Sequence, residues 1–151
     1  MIFTCEKQKF LEGINIVQKA ITGKSTMSIL EGIYISANNT DLTLIGSDMD
    51  VSIQTKVNAD IIESGEIVID AKIFGEIIRK LPNSLIKLET IENQLVRITC
   101  EKSVFDVVYM NTTEFPQLPT INEDLKISEN LKTDDSLQHT IENITKKLTQ
   151  N

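Results

Sequence analysis

The stretch EIVIDAKIFGEIIRKLP, residues 66–82, decides the fold. EIVI (66–69) reads as a strand. Asp70 follows as an N-cap, a carboxylate placed to accept a hydrogen bond from the first turn of a helix. Residues 71–81 then set Phe74, Ile77, Ile78 and Leu81 on one side at helical spacing, with Lys72, Glu76 and Arg79 at i, i+4, i+7 on the other. Pro82 has no amide hydrogen to continue the ladder and ends the helix.

The same unit occurs upstream. IFTC (2–5) reads as a strand, and residues 7–21 carry Phe10, Ile14, Val17 and Ile21 on one helical face. The opposite face holds Gln8, Lys9, Glu12, Asn15 and Lys19. Three strand-like runs come after each helix. After the first are IYISA (33–37), LTLIG (42–46) and VSIQTKV (51–57), separated by the turns NNTD and SDMD. After the second are LIKLE (85–89), LVRITC (95–100) and VFDVVY (104–109), with IENQ as the first turn. The chain is therefore strand–helix–three strands, twice, with a period of roughly 65 residues, too long for a solenoid unit. The expected fold is α+β and pseudo-twofold. Two amphipathic helices pack side by side on a joined antiparallel sheet. Their polar faces then share one surface holding Lys9, Lys19, Lys72, Arg79 and Lys80.

At 151 residues and 40% hydrophobic, the chain has material for one domain and a remainder. NTTEFPQLPT (111–120) reads as an extended exit. Residues 122–151 lose all aromatics, and Leu137, Ile141, Ile144 and Leu148 form a narrow stripe on an expected helix over 134–149. That stripe can dock on the protein's own surface, serve as a partner helix, or fray. No apolar run is long enough to span a bilayer, and the N-terminus lacks a secretory pattern, so a cytoplasmic protein is expected. Cys5 and Cys100 stand apart without a CxxC, as buried reduced thiols do. The net charge of −7 argues against coating DNA or anionic membrane by bulk attraction, though a few basic residues on one face remain compatible with contact.

Catalytic sets are thin. ITGKSTMSIL (21–30) contains Gly-Lys-Ser-Thr, but a phosphate-binding loop needs a glycine where Gln18 stands and a strand where a helix leads in. His139, the one histidine, lies in the polar tail, so no Ser-His-Asp or Cys-His set can form in the main domain. Asp48 and Asp50 read as turn residues rather than a metal site.

Four motifs in register, GKSTMSIL, LTLIGSDMDVSI, IDAKIFGEIIRKLP and FDVVYMNTTEFPQLP, carry a resemblance. Over residues 1–121 the chain resembles the N-terminal domain of the bacterial DNA polymerase III beta subunit, the sliding clamp. Ser28 replaces the proline usual in that family's loop. The resemblance implies a non-catalytic DNA replication processivity factor without cofactor or metal. In the family, three such domains per chain and two chains head to tail close a ring around duplex DNA. Helices line the hole, and the ring tethers the replicative polymerase. Ring topology holds the DNA, so the chain can be acidic overall.

By position, Lys24 matches the basic residue of the family's loop and Lys72 the one opening the second inner helix, so both are expected to bind DNA. Arg79, Lys19, Lys9 and Lys80 are added from helix geometry. The strand around SVFDV matches the edge that meets another clamp chain. Phe105 and Val107 would be apolar interface residues, with Lys102 and Arg97 as a charged rim; the alternation Phe105, Val107, Tyr109 equally permits Phe105 to point into the core. Implied partners are double-stranded DNA without sequence preference, other clamp chains, and the polymerase and clamp loader through a full-length clamp. The family's second and third domains, and the partner-peptide cleft built on them, are expected to lie outside this sequence. DLKISENLK (124–132) could open a second domain, but residues 133–151 do not continue the family pattern. Two further readings compete: an interaction module that caps a full-length clamp and blocks ring closure, and a phosphoryl-transfer enzyme.

Overall fold

A computed structural model describes residues 1–23 and 27–116. Lys24, the boundary at 121 and the helix expected at 134–149 lie outside the described residues. The elements run β1 (Ile2–Glu6), α1 (Lys7–Gln18), a 3-10 turn (Ser28–Glu31), β2 (Gly32–Ala37), β3 (Leu42–Ser47), β4 (Ser52–Val57), β5 (Asp60–Glu63), β6 (Gly65–Asp70), α2 (Ala71–Lys80), β7 (Leu85–Ile91), β8 (Leu95–Cys100) and β9 (Ser103–Val108), then a short 3-10 turn (Thr112–Glu114).

The stretch over residues 66–82 folds as its chemistry dictates. β6 runs straight into α2, and Asp70 Oδ1 accepts the Ile73 amide at 3.0 Å. Ala71, Phe74, Gly75 and Ile78 are buried, and Leu81 turns extended ahead of Pro82. The hairpin turns also obey local side-chain chemistry. Asn38 Oδ1 accepts from the Thr40 and Asp41 amides, and Asp48 Oδ1 from the Asp50 and Val51 amides. The SDMD segment is thus a turn, with Met49 at φ 83°.

Three expectations are corrected. First, α1 ends at Gln18, not at residue 21. The amides of Ala20 and Ile21 bond to Val17 and Gln18 oxygens, three residues back, so the last turn tightens. Second, β5 is a strand that the pattern of residues does not indicate. It is four residues long, with Ile61 half-buried and Ile62 65% exposed, so no alternation marks it. It forms by pairing antiparallel with β1, Phe3 opposite Ile61. The first half therefore has four strands after its helix rather than three.

Third, the strands form two sheets, not one joined sheet, in the orders β5-β1-β7-β8-β9 and β4-β3-β2-β6. The two halves exchange their opening strands. β1 pairs with β7 of the second half, and β6 with β2 of the first. This exchange lets one core serve both halves. Phe10 of α1 sits edge-on to Phe3 of β1 (centroids 5.7 Å) and to Phe74 of α2 (5.3 Å). Ile14, Ile33, Leu44, Ile78, Leu88 and Ile98 belong to the same buried cluster. α1 packs against β3, β4 and α2, which sets the two helices side by side.

Cys5 and Cys100 are buried free thiols. Burial pushes the Cys5 thiol up to about 11, and its Sγ donates to the Asn58 carbonyl at 3.3 Å.

Candidate nucleic-acid interface

The polar faces of α1 and α2 carry Lys9, Lys19, Lys72, Arg79 and Lys80, all exposed. Lys72 and Arg79 line a single cleft of about 460 Å³ at the seam between the helices, together with Gln18, Gly23, Glu31 and Glu76. Lys9 lies in a separate hollow with Glu12, Lys56 and Asn58. Lys19 caps the C-terminal end of α1. Gly23, the residue before Lys24, lines the Lys72–Arg79 cleft and has φ 72°, a conformation glycine adopts without strain.

Arg79 is held by partners that periodicity does not indicate. Its Nη2 donates to Gln18 Oε1 at 3.0 Å and Asn15 Oδ1 at 3.3 Å. Gln18 Nε2 donates in turn to the Ala71 carbonyl at 3.0 Å. The sequence places Asn15 and Gln18 on the outer face of α1, but their reach to α2 depends on tertiary packing. Glu76 brings a carboxylate into the cleft one turn from both cations.

The second group of expected site residues is on β9, an edge strand. Phe105 lies opposite Ile98, and Val107 opposite Val96, both on the core-facing side of the sheet. Val107 packs against the core, while Phe105, at its rim, is 37% exposed. Val104 and Val108 on the other side of the strand are exposed, and the expected interface set does not include them. A signal for them exists, because VFDVV places valines on both faces. Lys102 is exposed in the β8–β9 turn. Arg97 is engaged within the chain. Its Nε and Nη2 donate to the two carboxylate oxygens of Asp106 at 2.9 and 3.0 Å. That fork holds the Asp106 carboxyl below the usual range and raises Arg97.

Among the described residues, no three His, Cys, Asp or Glu side chains group as a metal site, and no helix is long and apolar enough to cross a membrane.

Two helices side by side against two antiparallel sheets, with opening strands exchanged, define a DNA-clamp type of domain. Residues 1–119 match the family described as DNA polymerase III beta subunit, N-terminal domain, and the chain belongs to that family. It is similar to the beta sliding clamp of Halalkalibacterium halodurans at 35% identity, over 82% of this chain and 35% of that protein. The crystal structure of the DNA polymerase sliding clamp from Bacillus subtilis superposes with a TM-score of 0.78 at 31% identity, covering 87% of this chain and 38% of that one. The beta subunit from the DNA polymerase of Streptococcus pyogenes gives 0.78 at 26% identity, with the same coverage. The chain thus spans little more than a third of the length of these relatives.

Proposed function

We propose that this chain supplies the N-terminal domain of a replicative sliding clamp, a non-catalytic, cytoplasmic processivity module. α1 and α2 face duplex DNA. Lys72 and Arg79 meet its phosphates, Lys24 joins them, and Lys19 and Lys9 contribute from the flanks. The domain works as part of a ring that tethers the polymerase. The observation that carries this reading is the convergence of Lys72 and Arg79 on one seam between the paired helices, in a chain of net charge −7. Such a surface supports weak, sequence-independent contact that releases easily, as sliding requires. The test is binding to a short duplex at low salt, followed by fluorescence anisotropy. Lys72→Glu with Arg79→Glu is expected to weaken binding by more than about tenfold, since each phosphate contact contributes to the counterion-release term. Unchanged affinity in that double variant overturns the reading.

A second reading rests on β9. Its exposed Val104, Phe105 and Val108, on an edge that no other described strand pairs with, suit docking to another clamp chain, and such a domain could cap a full-length clamp and block ring closure. Co-purification with a full-length clamp at micromolar concentration supports it. Absence of a complex there removes it.

A further inference from the structure

We propose that Gln18 and Asn15 are positioning residues that hold the Arg79 guanidinium across the α1–α2 seam as a preset phosphate contact; this rests on the DNA-binding reading above. Gln18 is bonded at both ends of its amide. Nε2 is tied to the Ala71 carbonyl in the first turn of α2, which fixes where Oε1 points, and Oε1 receives Arg79 Nη2. Asn15, one turn back along α1, takes the same Nη2. The anchoring partners are neutral amides. They fix the guanidinium in place without cancelling its charge, whereas the Asp106 carboxylate neutralises Arg97. Among the described residues, Arg79 Nε and Nη1 carry no hydrogen bond and remain as donors.

Gly75 is the second, independent observation. It sits inside α2, where glycine is a poor helix former. A Cβ built there would come 2.7 Å from Gln18 Nε2 and 3.0 Å from Arg79 Nη1. The amide and the guanidinium therefore lie directly over the Gly75 backbone, in a notch that any side chain would fill. Glycine at this position lets the arginine lie flat along the seam.

The test is a double-mutant cycle on duplex binding, with thermal unfolding as the folding control. Gln18→Met keeps length and removes both hydrogen bonds. It is expected to weaken binding about three- to tenfold with Arg79 present and to have no effect beside Arg79→Ala, which itself lowers the salt slope by about one. Gln18→Glu keeps the position but supplies a cancelling charge, so it is expected to weaken binding at least as much. A role of Gln18 in helix packing alone would lower the melting temperature and weaken both backgrounds equally. Equal weakening, or none, overturns the inference while wild-type binding preserves the DNA reading. Absence of wild-type binding overturns both.

Discussion

Lys7, the first residue of α1, donates its ammonium to the Leu81 carbonyl at 2.6 Å, at the far end of α2. The same Nζ reaches the Arg79 carbonyl at 3.0 Å, and the Lys7 amide bonds to Ser84 O at 3.1 Å. One lysine thus satisfies two carbonyls at the end of α2, those of Arg79 and the C-cap Leu81, and places its charge at the negative end of that helix. It also ties the start of α1 to the end of α2.

Lys7→Met is therefore expected to cost about 1 kcal/mol, and to lower the melting temperature by about 4–8 °C for a domain of ~100 residues. Calorimetry or thermal circular dichroism measures it. A melting temperature equal to wild type would mean that water serves those carbonyls equally well.

Glu76 should act in the opposite sense to the cations it neighbours. It lies one turn from Lys72 and from Arg79 in the same cleft. Glu76→Gln is expected to tighten duplex binding about two- to fivefold at low salt, with the gain shrinking as the Debye length falls below the cleft dimensions. Anisotropy titrations across a salt series read this directly. A gain that persists at high salt points to a contact other than charge.

Much of this arrangement is legible in the sequence. Asp70 and Pro82 bracket α2 by local chemistry, and Asn38 and Asp48 build their own turns, so these positions can be assigned without tertiary knowledge. β5 cannot, because Asp60–Glu63 pairs through its backbone with β1 and shows no apolar alternation. The early end of α1 is likewise hidden. Gly46 allows Val17 and Ile21 to pack directly on β3, and a side chain there would clash with both. The site divides in the same way. Lys72 and Arg79 are given by helix periodicity, but Gln18 gains its meaning only when α2 lies beside it. The fork from Arg97 to Asp106 is a cross-strand pair, visible only once the β8–β9 register is known.

That fork predicts a pH signature. The Arg97 guanidinium depresses the Asp106 carboxyl, so its contribution is present above the ordinary aspartate value of about 3.9 and is lost as pH falls through the lower folded value. Carbon-detected NMR should find Asp106 titrating below the ordinary aspartate range, and Arg97→Ala should return it to that range. Titration of Asp106 at the ordinary value in the wild type would show that the fork is not populated in solution.

Cys5 gives the reverse sign. Its folded thiol is raised to about 11, so protonation favours the folded state. Its stabilising share is complete below the unfolded thiol value of about 8.5 and declines as pH rises toward the folded one. Native protein at pH 8 is expected to react with a thiol reagent far more slowly than unfolded protein, with Cys100, also buried and raised, behaving alike. Rapid native labelling at either thiol would reveal local opening of β1 or β8.

Among the described residues, the four sheet edges are not equally protected. β5 is short, with Asp60 and Glu63 at its ends. β6 is sealed by Met110, which exchanges two backbone hydrogen bonds with Val68 at 3.1 and 2.7 Å. β4 carries the exposed Lys56. β9 has Val104 and Val108 exposed, and its one charge, Asp106, is already paired. Charge is what ordinarily protects an edge from adding another strand. Val104→Lys should therefore leave the melting temperature near wild type, because the side chain already faces solvent. It should weaken association with a full-length clamp by about tenfold or more, read by light scattering or a pull-down at matched concentrations. If Val104→Lys associates as well as wild type, β9 is not the docking edge, and the capping reading loses its structural basis.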